Sequence, residues 1–317
     1  YSNGNEKNND LNGSIVLNHR FKEKIKTKLN TYYTQFESKQ DLLTVSGNPY
    51  NDLFQQNFKR VEDQTEWKIN KSLNSIVGFG WITEKVNSTR YDNVDSAKNN
   101  TIKYFYNQWE WNAGKKLVAN IGFRYDDNKN YASALSPKAS FLYKLNSQLR
   151  FKLSVGRGFK APDFRQLYLN FTNAAAGSYS VFGAVEAQKV INKLNQLGQI
   201  GNLFSNYYQL KKLEPEYATG IHLSAEWEPN SSNEIQIQLF RNDINNLIYV
   251  QQVGNYISGS QIYSYLNIKN AYTTGIEIET KQKYNSDWSS SLGYQFLVTG
   301  DKDQIAKIIN QTVLRGG

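Results

Sequence analysis

The sequence predicts an all-β chain: part of a transmembrane antiparallel up-and-down β-barrel of about twelve strands, with short turns at the periplasmic end and long extracellular loops. Three observations lead there. Strand-like runs alternate apolar and polar side chains. The connections between the runs alternate short and long. Aromatic residues make up 14% of the chain, enough to furnish the interfacial girdles of a barrel.

Short polar turns fall near 22–24, 71, 112–115, 146–147, 229–232 and 285–287. Between them lie the long connections 38–54, 88–101, 127–135, 160–212, 251–262 and the tail from Gly300. In an up-and-down sheet alternate connections lie at opposite ends, so one end is tight and the other elaborate. A soluble β-sandwich, as in a surface adhesin, has no reason to sort its loops this way.

Taken in order, residues 1–12 are Asn- and Gly-rich and read as part of a long loop. The runs 55–69, 73–87 and 233–250 read as strands. They exceed both the usual globular strand and the roughly 9–11 residues that cross a bilayer. Ile121, Phe123 and Tyr125 oppose Asn120, Gly122, Arg124 and Asp126; Phe151, Leu153 and Val155 oppose Lys152, Ser154 and Gly156. Ile235, Ile237 and Leu239 oppose Glu234, Gln236 and Gln238, and Ile276 and Ile278 oppose Glu277, Glu279 and Lys281. Trp288, Leu292, Tyr294, Phe296 and Val298 share a face with Ser290. On this phase Trp109, Trp111, Tyr125, Tyr143, Trp288 and Tyr294 face lipid. Within 160–212, the spacing of Val185, Lys189, Val190, Leu194 and Leu197 predicts a short helix over 184–197, and a second helix is expected at 303–309.

Composition narrows the function. Mean hydropathy is −0.64, and no stretch approaches the ~20 apolar residues of a spanning helix. A barrel strand alternates, so its averaged hydropathy stays low. The net charge of +9 is spread over strands, turns and loops rather than along one stripe. That speaks for lumen lining or contact with anionic lipid headgroups, and against nucleic acid. Cys is absent, which excludes disulfides and thiolate metal sites. His19 and His222 are too few for a His-rich metal site. Asp301 to Asp303 read as a solvated loop. No catalytic set, metal site or cofactor emerges. With no Met and no signal peptide, the chain reads as a processed or partial product.

Residues 137–167 contain Pro137-Lys-Ala-Ser-Phe-Leu-Tyr, then Leu149-Arg-Phe-Lys-Leu-Ser-Val-Gly-Arg-Gly-Phe-Lys-Ala-Pro-Asp-Phe-Arg-Gln-Leu. Gly156, Arg157, Gly158, Phe159, Lys160, Ala161, Pro162 and Leu167 resemble a strand hairpin of TonB-dependent outer-membrane receptors. That family more often has Glu where Gln166 stands. Tyr104-Phe-Tyr-Asn-Gln-Trp-Glu-Trp and Ile121-Gly-Phe-Arg-Tyr-Asp resemble its preceding strand pair. Leu213-Glu-Pro-Glu-Tyr-Ala-Thr-Gly, with Glu214, Pro215 and Glu216, resembles its strand entry. Phe240-Arg-Asn-Asp-Ile-Asn-Asn-Leu-Ile and Tyr265 to Glu279, with Asn267, Ala271 and Gly275, resemble a later hairpin. The resemblance covers roughly 101–299, and 1–100 agree in texture.

The residues themselves give a structural role to these motifs. Gly156 and Gly158 permit a bulge or close backbone approach. Pro162 cannot donate to a ladder, and it pushes Ala161 into an extended conformation. Pro215 marks a strand re-entering, and Asn267, Ala271 and Gly275 read as bend residues at a rim.

The resemblance implies a barrel of about twenty-two strands closed by an N-terminal plug. The plug and the closing strands would lie outside this chain, so that residues 1–317 form a partial barrel domain. It further implies energised uptake of a scarce nutrient through the TonB–ExbB–ExbD complex, which grips the plug. A ferric siderophore, or a similar iron, cobalamin or haem complex, is the expected ligand. Outer-membrane lipid and lipopolysaccharide would surround the wall. An oligosaccharide importer with a surface lipoprotein partner, and a passive porin, are the alternatives; an enzyme is not expected. Ligand contact is expected in the 160–212 extracellular loop, whose aromatics include Tyr168, Phe171, Tyr179, Phe182, Tyr207 and Tyr208.

Overall fold

The structure, a computed structural model, describes residues 3–43, 49–91, 97–128, 130–173, 178–268, 270–301 and 311–316. Eight strands follow one another from the start: β1 (Asn3–Phe21), β2 (Ile25–Leu43), β3 (Pro49–Lys68), β4 (Leu73–Ser88), β5 (Lys98–Ala113), β6 (Leu117–Asn128), β7 (Ala134–Lys144) and β8 (Leu149–Lys160). A folded excursion then carries α1 (Phe164–Tyr168), β9 (Asn170–Asn173), β10 (Tyr179–Phe182), α2 (Ala187–Gln196), β11 (Ile200–Leu203) and a 3-10 turn, Ser205–Gln209. The wall resumes with β12 (Glu216–Asn230) and β13 (Asn233–Asn245). A second excursion holds β14 (Ile248–Tyr256) and β15 (Gln261–Asn267). Last come β16 (Ala271–Lys283), β17 (Ser289–Asp301) and β18 (Gln311–Gly316).

Thirteen of these strands form one open antiparallel sheet, in the order β1 to β8, β12, β13, β16, β17, β18. Twelve are long and the thirteenth is short. Chain order and sheet order agree throughout, as in an up-and-down barrel. The tight turns lie where the sequence places them, and Lys22 (φ 57) and Gly114 (φ 71) take the left-handed conformation at two of them.

Pairing confirms the strand phases. Ile237 pairs with Ile278 and Ile278 with Tyr294, while Leu239 pairs with Ile276 and Ile276 with Phe296. One face is therefore largely apolar. Trp109, Trp111, Tyr125, Tyr143, Trp288 and Tyr294 are exposed, and pairing puts the strand residues among them on that face. Several polar residues on it have partners. Asp63 accepts from Thr27 (2.9 Å) and Thr65 (3.3 Å), and Asn107 accepts from the Ser75 hydroxyl (3.2 Å).

Near the tight turns the apolar face carries a row of exposed aromatics: Phe21, Trp67, Trp111, Tyr143 and Trp227. Phe21 and Trp67 lie on one pairing line through Ile25. Trp111 lies two residues nearer the turns than the line continued through Ser75 and Trp109. Tyr143 and then Trp227 each slip two residues further over two strands. This steady slip is the strand tilt that barrel curvature requires. The row is level in a tilted wall, as an interfacial girdle must be.

The opposite, lumenal face is polar. The Tyr104 hydroxyl donates to Glu62 (2.5 Å), and the Arg124 guanidinium lies 3.7 Å from the centre of the Tyr104 ring while pairing with Asp126 (2.6 Å). Lower down, Arg150 bridges Glu226 and Glu228, and Lys152 also pairs with Glu226. A groove of about 730 Å³ runs along this face past Gln108, Lys138, Ser154, His222 and Asn242.

Several expectations are corrected. Residues 3–12 belong to β1, not to a loop: pairing with β2 along its whole length satisfies their backbone despite the polar composition. The connection at 38–54 is shorter than expected, because β2 runs to Leu43 and β3 begins at Pro49. The run 233–250 is two strands. Asn246 adopts φ 57 between them, a conformation Asn tolerates and a strand does not. The 251–262 connection is a strand hairpin, since β14 pairs with β15. The tail from Gly300 is partly strand: β17 extends to Asp301, which therefore does not lie in a loop, and β18 pairs with β17. The expected helix at 303–309, with Asp303, falls outside the described residues.

Candidate ligand-binding rim

At the end opposite the tight turns, the two excursions fold together. Their strands make a second, five-stranded sheet in the order β11, β14, β15, β10, β9, with β10 and β15 parallel. The 160–212 region is thus an organised unit rather than a structureless loop, and the expected helix is present as α2. Ala187 and Ile191 of α2 are fully buried against Phe182, Val253 and Ile262. Leu266, Leu210 and Tyr207 complete this core.

The motif residues build the junctions of this unit. After Ala161 and Pro162, Asp163 caps α1. Its carboxylate accepts from the Gln166 N–H (2.7 Å), and the Gln166 side-chain oxygen accepts from the Asp163 N–H (3.0 Å). This reciprocal capping box takes Glu or Gln equally, so the departure at Gln166 leaves the device intact. Leu167 is buried with Leu213 and Ile248. Gly183 passes the α1 backbone so closely that a Cβ there would lie 2.4 Å from the Tyr168 nitrogen.

Asn267 clamps the two excursions at their roots. Its oxygen accepts from Glu214 N–H (2.8 Å), and its amide donates to the carbonyls of Glu214 (3.0 Å) and Asn246 (2.6 Å). Asn246 in turn donates to the Glu214 carboxylate (3.1 Å). Glu216 is buried, accepting from Ile248 N–H (3.0 Å) and Lys160 (3.2 Å). Gly156 and Gly158 lie within β8 on the lumenal face, opposite Gly220 and Ala218, while Arg157 and Phe159 share the apolar face.

The unit reaches over the lumenal face of the wall. Phe164 and Leu169 pack with Val86 and Tyr91 at the top of β4, and Phe54, Phe171, Val181 and Tyr265 close around them. Tyr91 and Leu169 form an isolated bridge, and Asn170 N–H donates to the Arg90 carbonyl (2.7 Å).

The expected aromatics take different places. Tyr207 is buried and donates to Asn192 (2.5 Å); Tyr208 beside it is 75% exposed. Tyr168 is half-buried beneath the Lys98 ammonium, 4.9 Å from its ring centre. Phe171, Tyr179 and Tyr263 form an edge-to-face row with centroids 6.4 Å and 6.3 Å apart. The Arg90 guanidinium lies 5.4 Å from the Phe171 ring and pairs with Asp52 (2.5 Å). Burial lowers the Arg90 pKa, but the hydrogen bond and charge of Asp52 outweigh it, so the net shift is upward and the cation is secure. Such a row can hold planar or apolar ligand groups beside a fixed positive charge. Sequence reasoning missed Tyr263 and Arg90. The alternation of Ile262, Ser264 and Leu266 with Tyr263 and Tyr265 was the available signal for the first; Arg90 had none. Among the described residues no group of three or more His, Asp or Glu stands together as a metal site.

Burial raises the pKa of Tyr168 and Tyr265, and lifts Tyr91 from near 10 to about 12, with the Asp163 charge adding to the rise. Each hydroxyl ionises more readily in the unfolded chain. The rim therefore keeps its full stability below pH 10 and loses it as pH rises through about 12. Spectrophotometric titration at tyrosinate wavelengths should show a late ionising step that Tyr91→Phe removes. An unchanged titration in that variant would contradict the assignment.

These features define an open segment of a large barrel wall crowned by a folded rim unit. The chain belongs to the TonB dependent receptor-like, beta-barrel family, whose model matches residues 1–314. That family is one of outer-membrane receptors and transporters. The chain is 26% identical over 108 residues to the vitamin B12 transporter BtuB of Photobacterium profundum, a match covering 33% of this chain and 17% of that protein. Its fold is similar to the siderophore receptor PirA of Pseudomonas aeruginosa, with TM-score 0.67 and 16% identity over 93% of this chain and 57% of that one. It is similar also to the FrpB iron transporter of Neisseria meningitidis, with TM-score 0.66 and 10% identity over 93% of this chain and 44% of that one. The chain thus spans about half the length of these solved structures.

Proposed function

We propose that this chain is the wall and ligand-capturing rim of an outer-membrane receptor for energised uptake of a ferric siderophore or a similar iron chelate. Residues 161–215 form the main extracellular capture element. In this reading the plug and the closing strands belong to parts of the protein outside this chain. A TonB–ExbB–ExbD complex acts through that plug and drives release into the periplasm. The chain performs no covalent chemistry.

The observation that carries the reading is the rim unit. A passive pore needs no folded domain with its own core over its mouth. Here two excursions are clamped together, and they present the Phe171–Tyr179–Tyr263 row beside Arg90 on the lumenal side. Iron- and siderophore-transporting structural neighbours favour an iron chelate. The BtuB likeness favours cobalamin as the second candidate.

Binding to the intact protein in detergent tests the site. Tyr179→Ala should weaken a bound ferric siderophore by about three- to tenfold, the value of one aromatic contact. Tyr207→Phe should leave affinity unchanged, because that ring is part of the rim core. Equal losses in both variants would place the ligand elsewhere.

A further inference from the structure

We propose that the groove on the lumenal face of β7, β8, β12 and β13 is the route along which a captured iron chelate descends toward the periplasm, and that the neighbouring sector from β3 to β6 is not. The route rests on the receptor reading above and gives its transport step a place on the wall.

The lumenal face is divided. From β3 to β6 the wall fills its own hollows. Tyr104 reaches across Gly80 to Glu62, and Tyr106 reaches across Gly78 to Gln64. A Cβ on either glycine would fall inside the ring that crosses it. The Arg124 guanidinium then stacks on Tyr104. These side chains are fastened to one another across four strands. On β8 and β12 the hollow is left open. Gly156 faces Gly220 across the ladder, and Gly158 faces Ala218 two residues nearer the rim. Nothing lies within 4 Å of a Cβ at Gly158, and the nearest atom to one at Gly156 is the Lys138 Cβ, at 3.5 Å. A glycine inside a strand gives up packing, and it marks a close approach by a ligand or by other backbone. At Gly156 and Gly158 no described part of the wall makes that approach.

Size, place and lining suit a ligand in transit. The groove measures about 730 Å³, within the range of small-molecule sites. Its two central strands are the ones that carry the rim unit. β8 runs from Gly156 up to Lys160 and on into α1, and β12 begins at Glu216, four residues above Gly220. A chelate leaving the rim is therefore delivered to the upper end of the groove. At the lower end Arg150 and Lys152 are neutralised by Glu226 and Glu228. Between the two ends Lys138 and Glu110 balance in charge, while Gln108, Ser154 and Asn242 offer neutral hydrogen bonds. Such a lining holds a ligand strongly enough to admit it and weakly enough to let it move on.

The test blocks the groove reversibly in the intact protein. The chain contains no Cys, so Gly156→Cys places a single thiol on the groove floor for a biotinylated methanethiosulfonate. Gly293→Cys is the control. It stands on the lumenal face of β17 opposite Glu279, away from the groove, and nothing lies within 4 Å of a Cβ there. The probe is radioactive iron presented to cells as iron(III) tris-catecholate. Labelling of Gly156→Cys should reduce uptake to the level of cells lacking the protein, and dithiothreitol should restore it. Binding of the chelate at the rim should survive the block, and labelled Gly293→Cys should take up iron like the wild type. Undiminished uptake after labelling of Gly156→Cys, or an equal loss in labelled Gly293→Cys, would overturn the route. A Gly156→Cys thiol that resists labelling, or labelling that lets vancomycin enter the cell, would mean that the plug seats on the groove, and would overturn it too. Absence of protein-dependent uptake in the wild type would instead overturn the receptor reading, and the route with it.

Discussion

Phe182→Ala is expected to unfold the rim unit while the barrel wall stays folded. Phe182 is 2% exposed at the centre of the core formed by Ile191, Val253 and Ile262. Deleting such a ring costs about 3–5 kcal/mol. The rim unit draws its stability from this core and from the Asn267 clamp. The wall is held separately, by continuous strand pairing from β1 to β17. Limited trypsin digestion separates the two outcomes. Cleavage at Lys189, Lys193, Lys211 or Lys212 should appear in the variant, with the strand fragments still resistant. Continued protection of those lysines would show that the rim does not depend on this core. The same variant should lose ligand binding, because the Phe171–Tyr179–Tyr263 row stands on the other face of the same sheet.

Gly275→Val is expected to damage the wall instead. A Cβ at Gly275 would lie 2.2 Å from the Phe296 carbonyl oxygen of the neighbouring strand and 2.9 Å from the Phe240 ring. A ring can rotate away, but the backbone oxygen is fixed by the β16–β17 ladder. Overpacking costs about 1–3 kcal/mol, and this case belongs at the upper end because a ladder must shift. Heat-dependent gel mobility of the barrel should show a lowered unfolding temperature, with the trypsin pattern of the folded rim unchanged. Wild-type thermal behaviour would mean that β17 moves aside at no cost.

These two positions also show what could be read from the sequence. The wall was legible because alternation is a local signal. Ile237, Ile278 and Tyr294 each reveal their face within a few residues, and the register then follows. The family motif residues were legible as rim devices, but their mechanics were not. Asn267 acts through contacts with Glu214 and Asn246, which lie 53 and 21 positions away, and no local pattern encodes that. Gly275 read as a bend residue, whereas the structure places it in mid-strand under the approach of Phe296 and Phe240. Residues 3–12 misled because polar strands beyond a lipid band lose the alternation that marks the rest. Of the expected site aromatics, Tyr207 and Tyr208 are neighbours in sequence, yet one lies in the core and the other faces solvent. Only the fold of the excursion decides which is which.

The most direct test of receptor function is uptake of radioactive iron, presented as a ferric siderophore, by cells with and without the intact protein. Uptake should depend on the protein and collapse when a protonophore dissipates the energy of the inner membrane. Protein-dependent uptake that persists with the protonophore would identify a passive barrel, and iron accumulation independent of the protein would contradict the assignment to iron-chelate transport.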